Sequence, residues 1–229
     1  LELPIPGDVK SPLAPGGLKR SFLLTKRGGD LGGGILVITG ILSWLLPVIA
    51  VLIKLDSRGP VFFLQKRVGR GGKVFTCYKF RTMVVNPYAD ERPCAENDER
   101  ITRIGRFLRT THLDELPQFF NVVWGSMSLV GPRPYMLTDD QRIGVLVPGH
   151  SFRNYVKPGI TGLSQVKGYH GGDMDLKTLF SRYQWDAFYV RNACSSLDFL
   201  IISSTTRLFF TQKIGLWREC LLQDLLYIL

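Results

Sequence analysis

Two acidic residues, Asp114 and Glu115, stand side by side directly before Leu116-Pro117-Gln118. Leu116, Phe119, Phe120 and Val123 recur at helical spacing, and proline is tolerated only in the first turn of a helix. The pair is therefore expected at or near a helix N-terminus. An acidic side chain there has a structural use, because it complements the positive end of the helix dipole. It also has chemical uses, since a carboxylate acts as a nucleophile and as an oxygen ligand to a hard cation. On spacing alone both readings stand.

The residues that could bring an anion to this pair are abundant. The chain carries a formal charge of +10, from 29 Lys+Arg against 19 Asp+Glu. That surplus suits nucleic acid, an acidic membrane surface or phosphorylated substrates, and it also suits a plain solubilising surface. Arg100, Arg103, Arg106 and Arg109 recur every third residue and share a broad face of a candidate helix over 100–109, with Ile101, Ile104 and Leu108 as its apolar stripe. Val61–Gln65 and Val74–Phe80 are rich in β-branched and aromatic residues and flank Val68-Gly69-Arg70-Gly71-Gly72-Lys73, which reads as a β-hairpin. Its cations Lys66, Arg67, Arg70, Lys73, Lys79 and Arg81 fit lipid headgroups and bound phosphate equally. Arg133 sits between Pro132 and Pro134. Two prolines stiffen that backbone, and a preset guanidinium suits bidentate phosphate binding. Lys157-Pro158-Gly159-Ile160-Thr161-Gly162 reads as a tight loop beside a ligand, or as a structural turn.

The elements that must position these residues begin with a hydrophobic segment. Leu31 to Ile53 carries no charge, and about 20 such residues cross a bilayer as a helix. Lys19, Arg20, Lys26 and Arg27 precede it; Lys54, Arg58, Lys66, Arg67 and Arg70 follow. Basic flanks prefer the cytoplasmic side, so a straight span would strand one cluster. A helix that enters, bends and leaves by one face satisfies both. Ser43, Trp44 and Pro47 are the candidate bend, because proline removes a backbone donor and a serine hydroxyl can satisfy the freed carbonyl. A re-entrant hairpin is favoured, with a simple span as the second choice.

The expected organisation is a tail over 1–18, rich in proline and glycine and unlike a signal peptide, a re-entrant membrane helix over 19–56, and a cytoplasmic part over 57–229. A polar loop is expected over Val84–Asp98. Two oily helices are expected over Leu197–Phe210 and Leu216–Leu229, the second with a Trp217, Leu221, Leu225, Leu229 stripe. They would lie on the membrane surface or pack on the domain. The fold class is α+β, mainly helical, with a small β-hairpin, catalytic helices and surface amphipathic helices. Cys77, Cys94, Cys194 and Cys220 show no CxxC spacing and read as reduced thiols. His112, His150 and His170 are scattered, so no transition-metal site is indicated. The cations interleave with a membrane segment rather than with stacking aromatics, which argues against nucleic acid.

Taken in order, Lys54-Leu55-Asp56-Ser57-Arg58-Gly59-Pro60-Val61-Phe62-Phe63, Gln65-Lys66-Arg67-Val68-Gly69, Tyr78-Lys79-Phe80-Arg81-Thr82-Met83, Leu113-Asp114-Glu115-Leu116-Pro117-Gln118, Ser128-Leu129-Val130-Gly131-Pro132-Arg133-Pro134 and Lys157-Pro158-Gly159-Ile160-Thr161-Gly162 resemble the monotopic phosphoglycosyl transferases, the bacterial sugar transferase family. The resemblance covers roughly Leu18 to Phe210. It implies a monotopic enzyme on the cytoplasmic face of the bacterial inner membrane, held in the bilayer by the re-entrant helix. Such enzymes move a sugar 1-phosphate from a UDP-sugar to polyprenyl phosphate, usually undecaprenyl phosphate. They release UMP and use Mg2+, at the start of surface-glycan or exopolysaccharide synthesis. Asp114 matches the family nucleophile and Glu115 its partner, and both are candidate metal ligands. Arg67, Arg81, Arg106, Arg109, Arg133 and Lys157 are the candidate phosphate-binding residues. Pro132–Leu137 and Gly168-Tyr169 lean weakly toward glucose as the sugar, and a homodimer is compatible with the pattern.

Two departures stand out. The family has Ser-Pro at the bend, where this chain has Ser43-Trp44 with Pro47 three positions on. Gly28, Gly29, Gly32, Gly33 and Gly34 stand where bulky apolar residues are usual, although glycine costs about 1 kcal/mol relative to alanine inside a helix. Two other functions fit the same residues: a non-enzymatic membrane adaptor that binds anionic lipid, and a membrane phosphohydrolase that uses the same carboxylate.

Overall fold

The computed structural model describes residues 18–85, 98–169 and 176–226, with side chains as far as residue 211. The expected tail over Leu1–Gly17, most of the polar loop, Cys94, His170, Cys220 and the side chains of the Trp217 stripe lie outside the described residues.

Arg20 to Asp56 follows one helical path: α1 (Arg20–Val37), a π-helical turn over Ile38–Leu42, and α2 (Ser43–Asp56). It is long and apolar enough to cross a membrane by length and composition, with a mean hydropathy of 2.6 in its most apolar stretch. Ser43, Trp44 and Pro47, singled out as a bend, lie in the first turns of α2, directly after the π-helical turn. Pro47 has no N–H to return to the turn before it, and that turn widens so that the Ser43 N–H reaches the Ile38 carbonyl. Side chains take up the loosened carbonyls. Ser43 Oγ donates to Thr39 O at 2.6 Å and Trp44 Nε1 to Gly40 O at 2.9 Å.

Polar anchors tie both ends of this helix to one body. Near its start, buried Asp30 accepts from Ser128 Oγ and the Leu129 N–H, both at 2.9 Å. Arg27 donates to the carbonyls of Val122 and Val123, each at 2.7 Å, closing the C-terminal end of α4 (Gln118–Trp124). A guanidinium there meets the carbonyls of the last turn and the negative end of the dipole. Lys26 pairs with Asp198 at 2.6 Å. At the other end, Asp56 accepts from the Ile104 N–H at 2.9 Å, while Thr102 Oγ1 accepts from the Gly105 N–H at 3.0 Å. The first turn of α3 (Arg103–Thr110) is thus capped twice. Helix α3 starts later than the expected 100–109, because Arg100 is drawn back into an ion pair with Asp98.

The hairpin is present. Strands β1 (Phe62–Val68) and β2 (Val74–Phe80) pair antiparallel, Phe62 opposite Phe80 and Val68 opposite Val74. The first strand runs beyond the expected Gln65 because the Val68 N–H gains the Tyr135 carbonyl at 3.0 Å. Its turn needs Gly71 and Gly72, both with positive φ. A second sheet, one strand of which falls where the sequence read a tight loop or turn, pairs β3 (Ser128–Val130) in parallel with β4 (Gly159–Thr161). Gly131 and Gly159 make this possible: a Cβ on either would run into the other segment's backbone.

Helices α5 (Leu137–Leu146), α6 (Leu163–Val166), α7 (Leu176–Asn192) and α8 (Ser195–Leu226) complete the described chain. Helix α8 runs without a break through 211–215, where two separate helices were expected. One core joins Val130, Leu163, Tyr189, Val190 and Ile201. Another joins Leu42, Ile49 and Ile53 of the apolar helix to Phe80 and Leu108. The outer side of the apolar helix stays bare: Leu36, Trp44, Val48, Val51 and Leu55 are exposed, Leu55 at 80%. Covering each such side chain stabilises by about 1.5–3 kcal/mol, so this face calls for an apolar environment.

The glycine run now has a partial explanation. A Cβ on Gly34 would lie 2.9 Å from Val123 Cγ2 and one on Gly33 2.8 Å from Leu129 Cδ1, so these two let α1 lie closely against α4 and β3. Gly28, Gly29 and Gly32 face open space, and nothing in the structure explains them. Gly32→Ala should therefore raise the melting temperature, by up to about 1 kcal/mol of stability. Gly34→Val should lower it, by about 1–3 kcal/mol of overpacking. Thermal melts of the two variants in detergent check this pair.

Candidate active site

Asp114 and Glu115 lie in a 3-10 turn over Leu113–Glu115, just ahead of α4, whose N-cap is Pro117. They precede the helix rather than enter its first turn. The chain reverses out of α3 at His112, which adopts the left-handed conformation with φ 56°, a region histidine tolerates better than most residues. Leu113 and Leu116 pack into the core shared with Leu42 and Phe80, and Pro117 is fully buried. Apolar residues on both sides of the pair thus hold the turn down.

The two carboxylates have different surroundings. Glu115 Oε1 accepts from Lys79 Nζ at 2.7 Å and from Arg133 Nη2 at 2.8 Å, and Arg133 Nη1 reaches Oε2 at 3.3 Å. Burial by itself would raise its pKa, but Arg133 and Lys79 outweigh that and hold it well below the usual carboxylate range. Asp114 is half-buried and makes no hydrogen bond among the described residues. Burial pushes its pKa up, the Glu115 charge adds to this, and Lys79, Arg109 and Arg133 pull the other way. One carboxylate is locked by cations and the other keeps its lone pairs open in the same positive field. Adjacent acids driven apart in this way mark a division of chemical roles.

The expected phosphate-binding residues separate into groups. Arg133 and Arg109 belong to the field around Asp114; Arg109 Nε also donates to Thr82 Oγ1 at 2.8 Å. The guanidinium of Arg133, expected to grip phosphate, makes its bidentate contact with Glu115. Arg67 donates to the Pro134 carbonyl at 2.8 Å and to Gln65 Oε1, so it holds the Pro-Arg-Pro loop from below. Arg81 is buried, with its donors on Ser57 Oγ and the carbonyls of Ser57, Arg58 and Pro60. It closes the turn leaving α2 and does not face the carboxylates. Arg106 is exposed on α3. Lys157 is at the opposite end of α4, beside Gly125 and Arg27.

Other residues of the candidate site carried no sequence signal of their own. Lys79 appeared only as one cation of a basic hairpin, yet it is half of the clamp on Glu115. Beneath the Pro-Arg-Pro loop, Arg153 Nη2 donates to the Arg133 carbonyl at 2.6 Å and to Asp186 Oδ2 at 2.8 Å, while Asp186 Oδ1 accepts from Ser164 Oγ at 2.7 Å. The Tyr135 ring has Arg153 at 3.9 Å and Arg182 at 4.4 Å, both within cation–π range. These partners are too far apart in sequence for any short spacing to reveal them.

Among the described residues, no three His, Cys, Asp or Glu side chains gather to hold a metal. Glu115, taken up by two cations, is poorly suited to ligate one. Asp114 can supply one oxygen, which fits magnesium bound mainly through ligand phosphates and water.

The sequence profile of the bacterial sugar transferase family matches residues 21–212. A Klebsiella pneumoniae protein named UDP-glucose:undecaprenyl-phosphate glucose-1-phosphate transferase is 40% identical over 203 residues, 88% of this chain and 43% of that protein. An Aeromonas hydrophila protein named UDP-N-acetylgalactosamine-undecaprenyl-phosphate N-acetylgalactosaminephosphotransferase is 41% identical over 191 residues, 83% of this chain and 44% of that protein. A Rhizobium leguminosarum protein named exopolysaccharide production protein PSS is 39% identical over 188 residues, 80% of this chain and 94% of that protein. The chain thus spans less than half the length of the first two relatives.

The carboxylates should respond oppositely to neutralisation. Glu115, with its folded pKa below the unfolded value near 4.3, stabilises the fold above that pH and loses this as pH falls through the lowered folded value. Glu115→Gln should cost about 3 kcal/mol at pH 7, because two partly buried cations lose their partner. Asp114, with its folded pKa raised, works against folding once ionised. Asp114→Asn should therefore melt at or above the wild-type temperature at pH 7. Denaturation curves at pH 7 and pH 4 measure both.

Proposed function

The chain belongs to the bacterial sugar transferase family, and we propose that it moves a sugar 1-phosphate from a UDP-sugar onto polyprenyl phosphate, the undecaprenyl form in a bacterium, with release of UMP. The observation that carries this reading is the open Asp114 carboxylate beside the cation-locked Glu115, in a positive field. An Asp114 oxygen attacks the phosphorus next to the sugar. The bond from that phosphorus to the bridging oxygen breaks, and UMP leaves with the electron pair. An oxygen of the lipid phosphate then attacks the same phosphorus, freeing Asp114 and forming the polyprenyl diphosphate sugar. Covalent catalysis divides one displacement between two anions into two steps.

Lys79, Arg109 and Arg133 draw the diphosphate toward a carboxylate that would otherwise repel it. Glu115 keeps Lys79 and Arg133 in place and is not itself consumed. Asp114 would be the ligand this chain offers to a magnesium ion, which when bound would supply further neutralisation of charge on the leaving group. Asp114 keeps a second oxygen for attack.

The membrane reading follows from the anchors. Arg27 and Asp30 at one end of the apolar helix, and Asp56 at the other, bond to α4, β3 and α3 of the same body. A rod crossing the bilayer would place about 30 Å of hydrocarbon between its ends, which would drag one polar anchor set out of water. Entry and exit by a single face keeps both sets wet and lets the bare Leu36, Trp44 and Val51 side enter the lipid. This supports a monotopic enzyme on the cytoplasmic face of the inner membrane, with Ser43 to Pro47 at the deepest point. The relatives' names differ in the sugar, and glucose recurs in several, which makes UDP-glucose the first substrate to test.

Purified chain with magnesium and UDP-glucose should exchange labelled UMP into the nucleotide sugar without any lipid acceptor. Asp114→Asn should reduce this exchange about a thousandfold or more. Exchange that survives the substitution would remove Asp114 as nucleophile. Free sugar phosphate released without polyprenyl phosphate would favour a hydrolase.

A further inference from the structure

A second group of cations lies apart from Asp114. Helix α4 separates the two places: the Asp114 turn precedes its first residue, and Gly125 follows its last. Seven helical residues span about 10 Å. At the Gly125 end a cavity of about 140 Å³ opens between the first turns of α1, the tip of the β-hairpin and the segment before β4. Lys157 and Arg27 both approach Gly125 within 3.4 Å of where its Cβ would stand.

The wall of this cavity is divided by chemistry. Leu18, Phe22 and Leu23 make an apolar side, on the turns that lead into the membrane helix. Lys26, Arg27, Arg70 and Lys157 make a basic side. Two carboxylates act on these cations, Asp198 bonded to Lys26 and Asp30 close to Lys157. Four cations against two carboxylates leave two positive charges uncompensated. Lys26 and Arg27 are engaged by Asp198 and the α4 carbonyls. Lys157 is half-buried, and its ammonium makes no hydrogen bond among the described residues. Burial, followed by the charges of Arg27 and Arg70, pushes its pKa down, a cost that a bound anion would relieve.

We propose that this cavity binds a phosphate group carried on a lipid chain, with Lys157 and Arg70 holding the headgroup and Leu18, Phe22 and Leu23 meeting the start of the tail. An inorganic anion would use only half of this wall. A zwitterionic headgroup would bring a cation into a site with none to spare a partner for. The apolar side leads along α1 to the bare face that calls for lipid, so headgroup and tail are offered their places in the order a membrane presents them. The chemistry fits an anionic phospholipid of the surrounding bilayer and a polyprenyl phosphate alike. The site does not depend on Asp114 being a nucleophile.

The test is native mass spectrometry of the whole chain released from detergent. It is titrated in separate arms with phosphatidylglycerol, polyprenyl phosphate, phosphatidylcholine and inorganic phosphate, without nucleotide sugar. Phosphatidylglycerol or polyprenyl phosphate should bind, and the tighter of the two identifies the source. Lys157→Gln and Arg70→Gln should each weaken that binding about fivefold, the effect of removing one basic residue at an anionic lipid. Arg103→Gln removes the same charge from the exposed face of α3 and should leave it unchanged. Equal weakening by Arg103→Gln would reduce the effect to general surface charge and overturn the site. So would phosphatidylcholine or inorganic phosphate binding as tightly as the anionic lipids. If Lys157→Gln melts below wild type, Arg70→Gln at the exposed hairpin turn carries the comparison alone.

Discussion

The clamp on Glu115 is the contact on which the candidate active site depends. It joins three segments: β2 through Lys79, the turn before α4 through Glu115, and the Pro-Arg-Pro loop through Arg133. A partly buried carboxylate with two cationic partners is stable only while all three remain, since removal of any one leaves buried charge without compensation. The clamp therefore sets where the loop lies and, with it, the cationic surroundings of Asp114. Below the loop, Arg153, Asp186 and Ser164 repeat the same logic, and the Arg133 carbonyl is held from beneath while its guanidinium is held from above.

That division explains how neighbouring acids acquire opposite properties. Glu115 is surrounded by its partners and is chemically occupied. Asp114, one residue away along a 3-10 turn, points its carboxylate elsewhere and feels the same cations only through space. An open carboxylate held in a positive pocket is destabilising to the fold and useful to a reaction, a trade seen wherever activity needs an unsatisfied group.

The apolar helix and the polar body are equally interdependent. The helix gives Leu42, Ile49 and Ile53 to the core that supports Leu113 and Leu116, and so it underlies the Asp114 turn directly. Its polar anchors at Asp30 and Asp56 cap or bridge elements of the domain, so the helix cannot shift without disturbing the candidate site.

Much of this was legible in the residues. Uncharged Leu31–Ile53, the hairpin and the Asp114-Glu115 turn are local features, each encoded by propensity or period within a short window. The family resemblance added which carboxylate to watch. The sequence could not reveal that Arg81 closes a turn, that Arg67 supports a loop, that Lys79 joins Glu115, or that Lys157 faces a separate cavity. A cation's role is set by the acceptor it meets, and the Ser57 hydroxyl for Arg81, Glu115 for Lys79 and the Pro134 carbonyl for Arg67 lie 24, 36 and 67 positions away. The parallel β3–β4 pair escaped for the same reason: its strands are three residues each, too short to carry a period, and they exist only because two glycines let distant backbones touch. Local chemistry determined the elements and named the candidate pair; only the tertiary contacts, by allotting each charge its partner, decided which carboxylate was left free.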